Sequence, residues 1–165
     1  MNRSLLPLAL ALALALAGCA TPLPIAQAPA NSPPAYAVGE AADRYVDQDM
    51  LWGGTIVTTR NYDGYSEIEI AAYPLDRQQR PLLDAPEAGR FVALRAGFLD
   101  PAEFSPGRFV TVRGIVTGDR NLQLRGETLR VAELDARELV LWPRDYRFQR
   151  PQISVSVGVG VGRRW

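Results

Sequence analysis

The sequence predicts an all-β domain: a small OB-like Greek-key β-barrel of five to six strands with one short helix. Three observations predict it. From Leu51 onward apolar residues recur with a period of two, the strand period. Turn signals cut that stretch into runs ordered strand, strand, strand, short helix, strand, strand, which is the OB-fold order. Gly54, Gly114 and Gly126 stand where a tightly curved sheet needs bends. An antiparallel sandwich would leave a similar trace of short alternating strands.

The first strand is Trp52 to Arg60, with Gly53-Gly54 near its start. Asn61-Tyr62-Asp63-Gly64 is hairpin chemistry and joins it to the second. There Ile68, Ile70 and Ala72 point one way while Glu67 and Glu69 point the other. Arg90 to Ala96 is the third strand. Asp100-Pro101-Ala102-Glu103 has the order of a helix start, with Asp as N-cap, Pro at the first helical position and Glu closing a capping box. Ser105-Pro106-Gly107 stops it. In the fourth strand Val110, Val112, Gly114 and Val116 share a face opposite Thr111 and Arg113. A turn at Gly118-Asp119-Arg120-Asn121 leads to a fifth strand. Its apolar parity changes from Leu122/Leu124 to Leu129/Val131 around Gly126, which predicts a bulge or a break. Arg137 to Trp142 closes the series.

Ahead of the barrel lies a secretory signal. Arg3 is its one charge, Leu5 to Leu16 is a Leu/Ala run interrupted by Pro7, and Leu16-Ala17-Gly18-Cys19 resembles a bacterial lipobox. The run is too short to span a bilayer, which takes ~20 apolar residues. Cleavage between Gly18 and Cys19 would leave 147 residues, enough for one domain. The lipobox resemblance implies a diacylglyceryl thioether on Cys19, an acylated (palmitate-type) amino terminus and attachment to the membrane through that lipid. Ala20 after the Cys, rather than Asp, implies the outer membrane. The plainer alternative is a cleaved signal in which Cys19 is incidental. The expected organisation is therefore 1–18 signal peptide, 19–42 lipidated start and Pro/Ala-rich tether, 43–148 barrel, and 149–165 Val/Gly-rich tail. Five prolines between Pro22 and Pro34 predict a loosely extended tether. A polar stretch, Gly39 to Asp49, is long enough for one or two helical turns. The tail alternates Val with Ser or Gly and reads either as a flexible end or as an edge strand.

Composition excludes more than it suggests. There is no His and no Lys, and the one Cys is Cys19. Ser-His and Cys-His nucleophiles, His-ligated zinc, Schiff bases and P-loops are excluded. No metal or diffusible cofactor is expected. The 17 arginines past the signal are interspersed with 18 acidic residues, so the basic footprint of a nucleic-acid binder is missing.

Trp52-Gly53-Gly54, Asn61, Glu69, Tyr73-Pro74-Leu75-Asp76, Arg80-Pro81, Gly89-Arg90-Phe91, Gly97-Phe98-Leu99-Asp100-Pro101, Gly107-Arg108 and Thr111-Val112-Arg113-Gly114 form an ordered set, continued by Gly126-Glu127 and Leu141-Trp142. This set resembles the Slp family of outer-membrane lipoproteins, over roughly Leu51 to Trp142. The chain departs from the family pattern at Leu129 to Leu134, which leaves that strand's register open, and the tail lies outside the resemblance. The resemblance implies a stress-associated envelope lipoprotein and brings no catalytic residues.

Candidate chemistry is sparse. Glu67 and Glu69, about 7 Å apart on one strand face, have a spacing compatible with glycoside hydrolysis or with a plain solvated face. Arg90, Arg108 and Arg113, near Asp76 and Asp100, are candidates for an anionic glycan or for ion pairs that fix loops. Trp52, Tyr62, Tyr65, Tyr73 and Trp142 could make a stacking face of the OB type. The expected function is non-enzymatic binding of another envelope component, an envelope protein or a glycan, with Trp52, Tyr73, Arg90, Arg108 and Arg113 as the candidate ligand residues.

Overall fold

The structure, a computed structural model, describes residues 23–124 and 126–145. The signal, Cys19 and the Val/Gly tail lie outside the described residues. Five strands close into one barrel: β1 (Asp49–Asn61), β2 (Tyr65–Tyr73), β3 (Arg90–Ala96), β4 (Phe109–Leu124) and β5 (Glu127–Leu141). The order around it is β1-β2-β3-β5-β4, and β4 returns to β1. Every neighbouring pair is antiparallel except β3 and β5, which run parallel from Phe91↔Ala132 to Leu94↔Asp135. That order, with its single parallel pair, is OB topology.

Period-two alternation places the core. Ile68, Ile70 and Ala72 of β2 and Val110, Val112 and Val116 of β4 point inward, as expected, and meet Met50, Trp52, Ile56, Phe91, Ala93, Ala132, Leu134 and Ala136. Burying each of the large side chains among them contributes about 1.5–3 kcal/mol. Three bulges let the sheet coil. Register shifts fall at Ile56/Thr58 in β1, at Val116/Gly118 in β4, and opposite Arg113/Gly114 where β5 carries an extra residue, Arg137. The extra residue flips parity: Ala132, Leu134 and Ala136 face the core before it, Leu139 and Leu141 after it.

The second half of the barrel differs from expectation. The expected turn at Gly118–Asn121 lies inside β4, and Gly126, with φ +88°, forms the β4–β5 turn itself. The two short runs expected beyond it are one strand, β5. Leu122 pairs with Leu129 on a hairpin whose outer half is hydrogen-bonded through its backbone to no other described strand, so Leu122 is half-buried and Leu129 is exposed. Their parity change marks the turn, not a bulge in one strand. This also settles the register of Leu129 to Leu134.

The short helix is elsewhere too. Asp100 to Glu103 is a turn; the Asp100 carboxylate accepts from Ala102 N at 2.8 Å, so the capping chemistry is used without a helix following. The helix, α1, is Ala35–Glu40, followed by one 3-10 turn at Ala42–Arg44. Ala35 and Val38 join the barrel core, and Gly39 lies so close to β5 that an added Cβ would come within 2.8 Å of the Arg130 carbonyl.

The segment before α1 is not a loose tether where it is described. Ile25 is fully buried. Its backbone is gripped by the buried Gln79, whose Oε1 accepts from Ile25 N at 2.9 Å and whose Nε2 donates to Ile25 O at 2.8 Å. Ser32 Oγ accepts from Leu51 N at 2.8 Å, and Trp52 Nε1 donates to the Pro33 carbonyl at 2.7 Å. Proline makes this possible: it has no N–H, so a proline-rich strap leaves fewer donors to satisfy against a barrel wall.

Candidate functional site

Between the strap and the barrel rim is a cavity of about 530 Å³, in the size range of small-ligand sites. Ile25 and Pro29 of the strap line one side, and Trp52, Tyr73, Leu75 and Gln79 line the other. Two of the five expected ligand residues, Trp52 and Tyr73, therefore come together here. Gly53 pairs with Tyr73 across β1 and β2, which puts both rings at one level of the barrel. Trp52 is only 5% exposed, however, and its ring meets Phe91 at 5.1 Å and 58°. It is a core ring that touches the cavity, not a platform open to a ligand.

The three arginines are placed apart from the cavity and from one another, and their partners are not those expected. Arg90 Nη1 meets Glu69 at 2.6 Å, with Glu87 at 3.8 Å. Arg108 donates to the carbonyls of Glu103 at 2.8 Å and Trp142 at 2.9 Å. Arg113 bridges Asp49 and Glu138, each at 2.8 Å, and these hydrogen bonds, Asp49's first, raise its pKa above the ordinary arginine value. Asp76 pairs with Arg80 at 2.8 Å. The arginines thus fix strands and loops to each other.

The carboxylate face is not simply solvated. Glu67 is 6% exposed and lies between Arg60, at 3.2 Å, and Arg120, at 2.5 Å; Arg120 also pairs with Glu133. The pairing joins β1, β2, β4 and β5 across the outer wall. Breaking a buried pair costs more than the pair contributes, because one charge is left without its match. Arg120→Met should therefore cost about 2 kcal/mol, less than the ~3–5 of a fully isolated pair because Arg60 remains. Glu67→Gln placed in the same chain should recover more than half of that loss. Urea melts of the two single variants and the double variant measure it.

The remaining aromatic residues mark the far end of the barrel. Tyr62 and Tyr65 stack at 4.9 Å and 17° across the β1–β2 turn. Phe98, 74% exposed, follows Gly97, whose N–H donates to the Gly64 carbonyl at 2.9 Å. Asn61 holds the same loop, donating to Leu99 O at 3.0 Å, while Ser66 donates to Gly97 O at 2.7 Å. Trp142 is at neither place: its Nε1 donates to Thr111 Oγ1 at 2.9 Å, and Thr111 in turn donates to Gln79 O at 2.6 Å. The five rings expected as one stacking face are thus divided among the core, the strap cavity, the hairpin tip and the exit of β5. Sequence reasoning missed Phe98 and Gln79. Phe98 carried a legible signal, a large apolar residue between Gly97 and a turn; Gln79 carried none.

Among the described residues no group of three or more metal-ligating side chains comes together, and no helix is long and apolar enough to cross a membrane. On the projecting hairpin the Arg130 hydrogen bond holds the Asp119 carboxyl below its ordinary pKa. Protonation then favours the unfolded hairpin, so the contribution is whole above pH ~5 and fades as pH falls further. The stability difference between the parent chain and Asp119→Asn should be level from pH 7 to about 5 and shrink toward pH 3.

Comparison with known proteins decides what kind of barrel this is. The model of the outer membrane lipoprotein Slp family matches residues 16–159. The chain belongs to that family. It is an outer-membrane lipoprotein, and the match reaches beyond the Leu51–Trp142 span of the motifs, into the Val/Gly tail. The uncharacterized lipoprotein YeaY of Escherichia coli (strain K12) is 44% identical over 81 residues, 49% of this chain and 42% of that protein. The outer membrane protein Slp of the same organism is 33% identical over 84 residues, 51% and 44% of the two chains. This Slp-family chain thus spans less than half the length of the curated relatives it matches. Among solved structures, a small single-stranded DNA-binding protein from Streptomyces coelicolor aligns with 58% of this chain and 94% of its own, at 16% identity and a TM-score of 0.38. The OB assignment stands on strand order and on the parallel β3–β5 pair.

Proposed function

We propose that this Slp-family chain is held in the outer membrane by lipid on Cys19 and acts without catalysis, binding another envelope component through the barrel. The observation that carries the non-enzymatic part is the pairing of its carboxylates. Glu67 and Glu69, the two residues with hydrolase spacing, are each committed to arginine within the chain. A glycosidase needs both carboxyl groups open toward the scissile bond, one as acid and one as base or nucleophile, whereas here both are engaged by arginine side chains of the barrel wall. The exposed Tyr62, Tyr65 and Phe98 at the hairpin end favour a binding surface there, and anchor aromatics are what such surfaces use.

A photo-cross-linker at Phe98 in intact cells should capture one envelope protein. Capture of glycan instead would favour the alternative, a glycan-binding module that stacks sugars on the Tyr62–Tyr65 pair. Peptidoglycan cleavage by the purified barrel, abolished in Glu69→Gln, would contradict the proposal. For the anchor, Cys19→Ser should move the protein out of the membrane fraction and end incorporation of labelled palmitate.

A further inference from the structure

The grip on Ile25 limits how far the barrel can leave its anchor. Gln79 holds both backbone polar groups of Ile25, and the Ile25 side chain is fully buried, so slack ends there. The six residues from Cys19 to Pro24 reach at most about 22 Å. Trp52 of β1 lies beside the strap, where it bonds Pro33, and the strand ends nine residues on at Asn61. That is about 25–30 Å along a coiled strand. A barrel turned with its Tyr62–Tyr65 end toward the lipid would carry Ile25 farther out than the leash extends.

What surrounds the start of the leash is suited to a lipid surface. Leu23 is 43% exposed and Pro24 is exposed beside it. Leu82 is 42% exposed, and its N–H donates at 2.8 Å to Pro74 O. Pro74, Arg77 and Leu23 all line the rim of the strap cavity, which brings the loop and the leash to one place. Arg77 is exposed and makes no ion pair among the described residues.

We propose that this face, with Leu23, Pro24, Leu82 and Arg77, rests on the phospholipid headgroups of the membrane that holds the anchor. The inference rests on the reading of Cys19 as the lipidated residue. The two leucines enter the boundary between headgroup and acyl chain, and the Arg77 guanidinium meets lipid phosphate. The barrel is then held in one orientation, with Phe98 and the tyrosine pair directed away from the bilayer.

Lipidated full-length chain tests this, since Cys19 is consumed by the lipid and an introduced cysteine is the sole free thiol. Leu82→Cys and Tyr62→Cys would each carry an environment-sensitive fluorophore in vesicles of phosphatidylethanolamine and phosphatidylglycerol containing a nitroxide-labelled lipid. The label at 82 should shift to the blue and be quenched, and the label at 62 should do neither. Adding Gln79→Ala lengthens the leash and should remove the difference between the two sites. Equal quenching at both sites, none at either, or a difference untouched by Gln79→Ala would overturn the docking while leaving Cys19 lipidation standing. Failure of the chain to join the vesicles would overturn both.

Discussion

Gly54→Ala should leave no folded barrel at 25 °C. A Cβ at this position would stand 1.9 Å from the Ala71 carbonyl oxygen and 2.8 Å from its carbon, and both are backbone of the paired strand. Neither atom can rotate away, so β1 and β2 would have to separate where Gly54 pairs with Ala72. Overpacking usually costs about 1–3 kcal/mol, and more when backbone must move. We expect about 4 kcal/mol or more here, comparable with the whole stability of a small domain. Gly64→Ala is the control. Its Cβ would meet nothing within 4 Å, and only the positive φ of +82° is strained, for about 1 kcal/mol. Circular dichroism and urea melts should show Gly64→Ala folded with a lowered midpoint, and Gly54→Ala without a cooperative transition.

The second large effect is expected at Trp52. Truncation to alanine removes the ring that packs on Phe91, and with it the hydrogen bond to Pro33 that seats the strap. Core aromatic truncations cost about 3–5 kcal/mol. Trp52→Phe keeps most of the packing and loses the bond, for about 1–1.5 kcal/mol. The two variants separate the roles. Limited proteolysis within residues 26–34 should speed up in both, because both lose the bond to Pro33. A large fall in the urea midpoint should appear only in Trp52→Ala. If Trp52→Phe leaves proteolysis unchanged, the bond does not seat the strap.

How much of this was legible depends on which forces the residue string records locally. The barrel class followed from alternation in β2 and β4, because burial on one face imposes period two on each strand independently. The Asn61–Gly64 hairpin followed from turn chemistry for the same reason. The β4–β5 hairpin was misplaced because both Gly118 and Gly126 carry turn chemistry, and cross-strand pairing from Val110↔Leu141 to Leu124↔Glu127 decides between them. That pairing spans up to thirty residues of chain. The helix was misplaced because Asp100-Pro101 is a good cap with no apolar face behind it, whereas Ala35 and Val38 give the Ala35–Glu40 helix a face that fits the barrel. The strap read as a tether because proline-rich composition records what a segment cannot hydrogen-bond, and not what it packs against.

The candidate site shows the same division. Glu67, Arg113 and Arg120 are recognisable as charged residues on strands, but the Asp49–Arg113 and Glu67–Arg120 pairs join residues 64 and 53 apart in the chain, so those ion pairs were out of reach. Trp52 and Tyr73 met at one cavity because Gly53↔Tyr73 pairing aligns them. The side-chain clamp of Gln79 on Ile25 crosses 54 residues and leaves no trace in either local segment.

The closed five-strand barrel is strapped at Ile25, six residues past Cys19, the residue that we propose carries the lipid. Mass spectrometry of the mature amino-terminal peptide from native membranes tests it most directly. The expected peptide begins at Cys19 and is heavier by a diacylglyceryl group on sulfur and an acyl group on nitrogen. A peptide with a free thiol and an unmodified amino group, or one that begins at a residue other than Cys19, would contradict it.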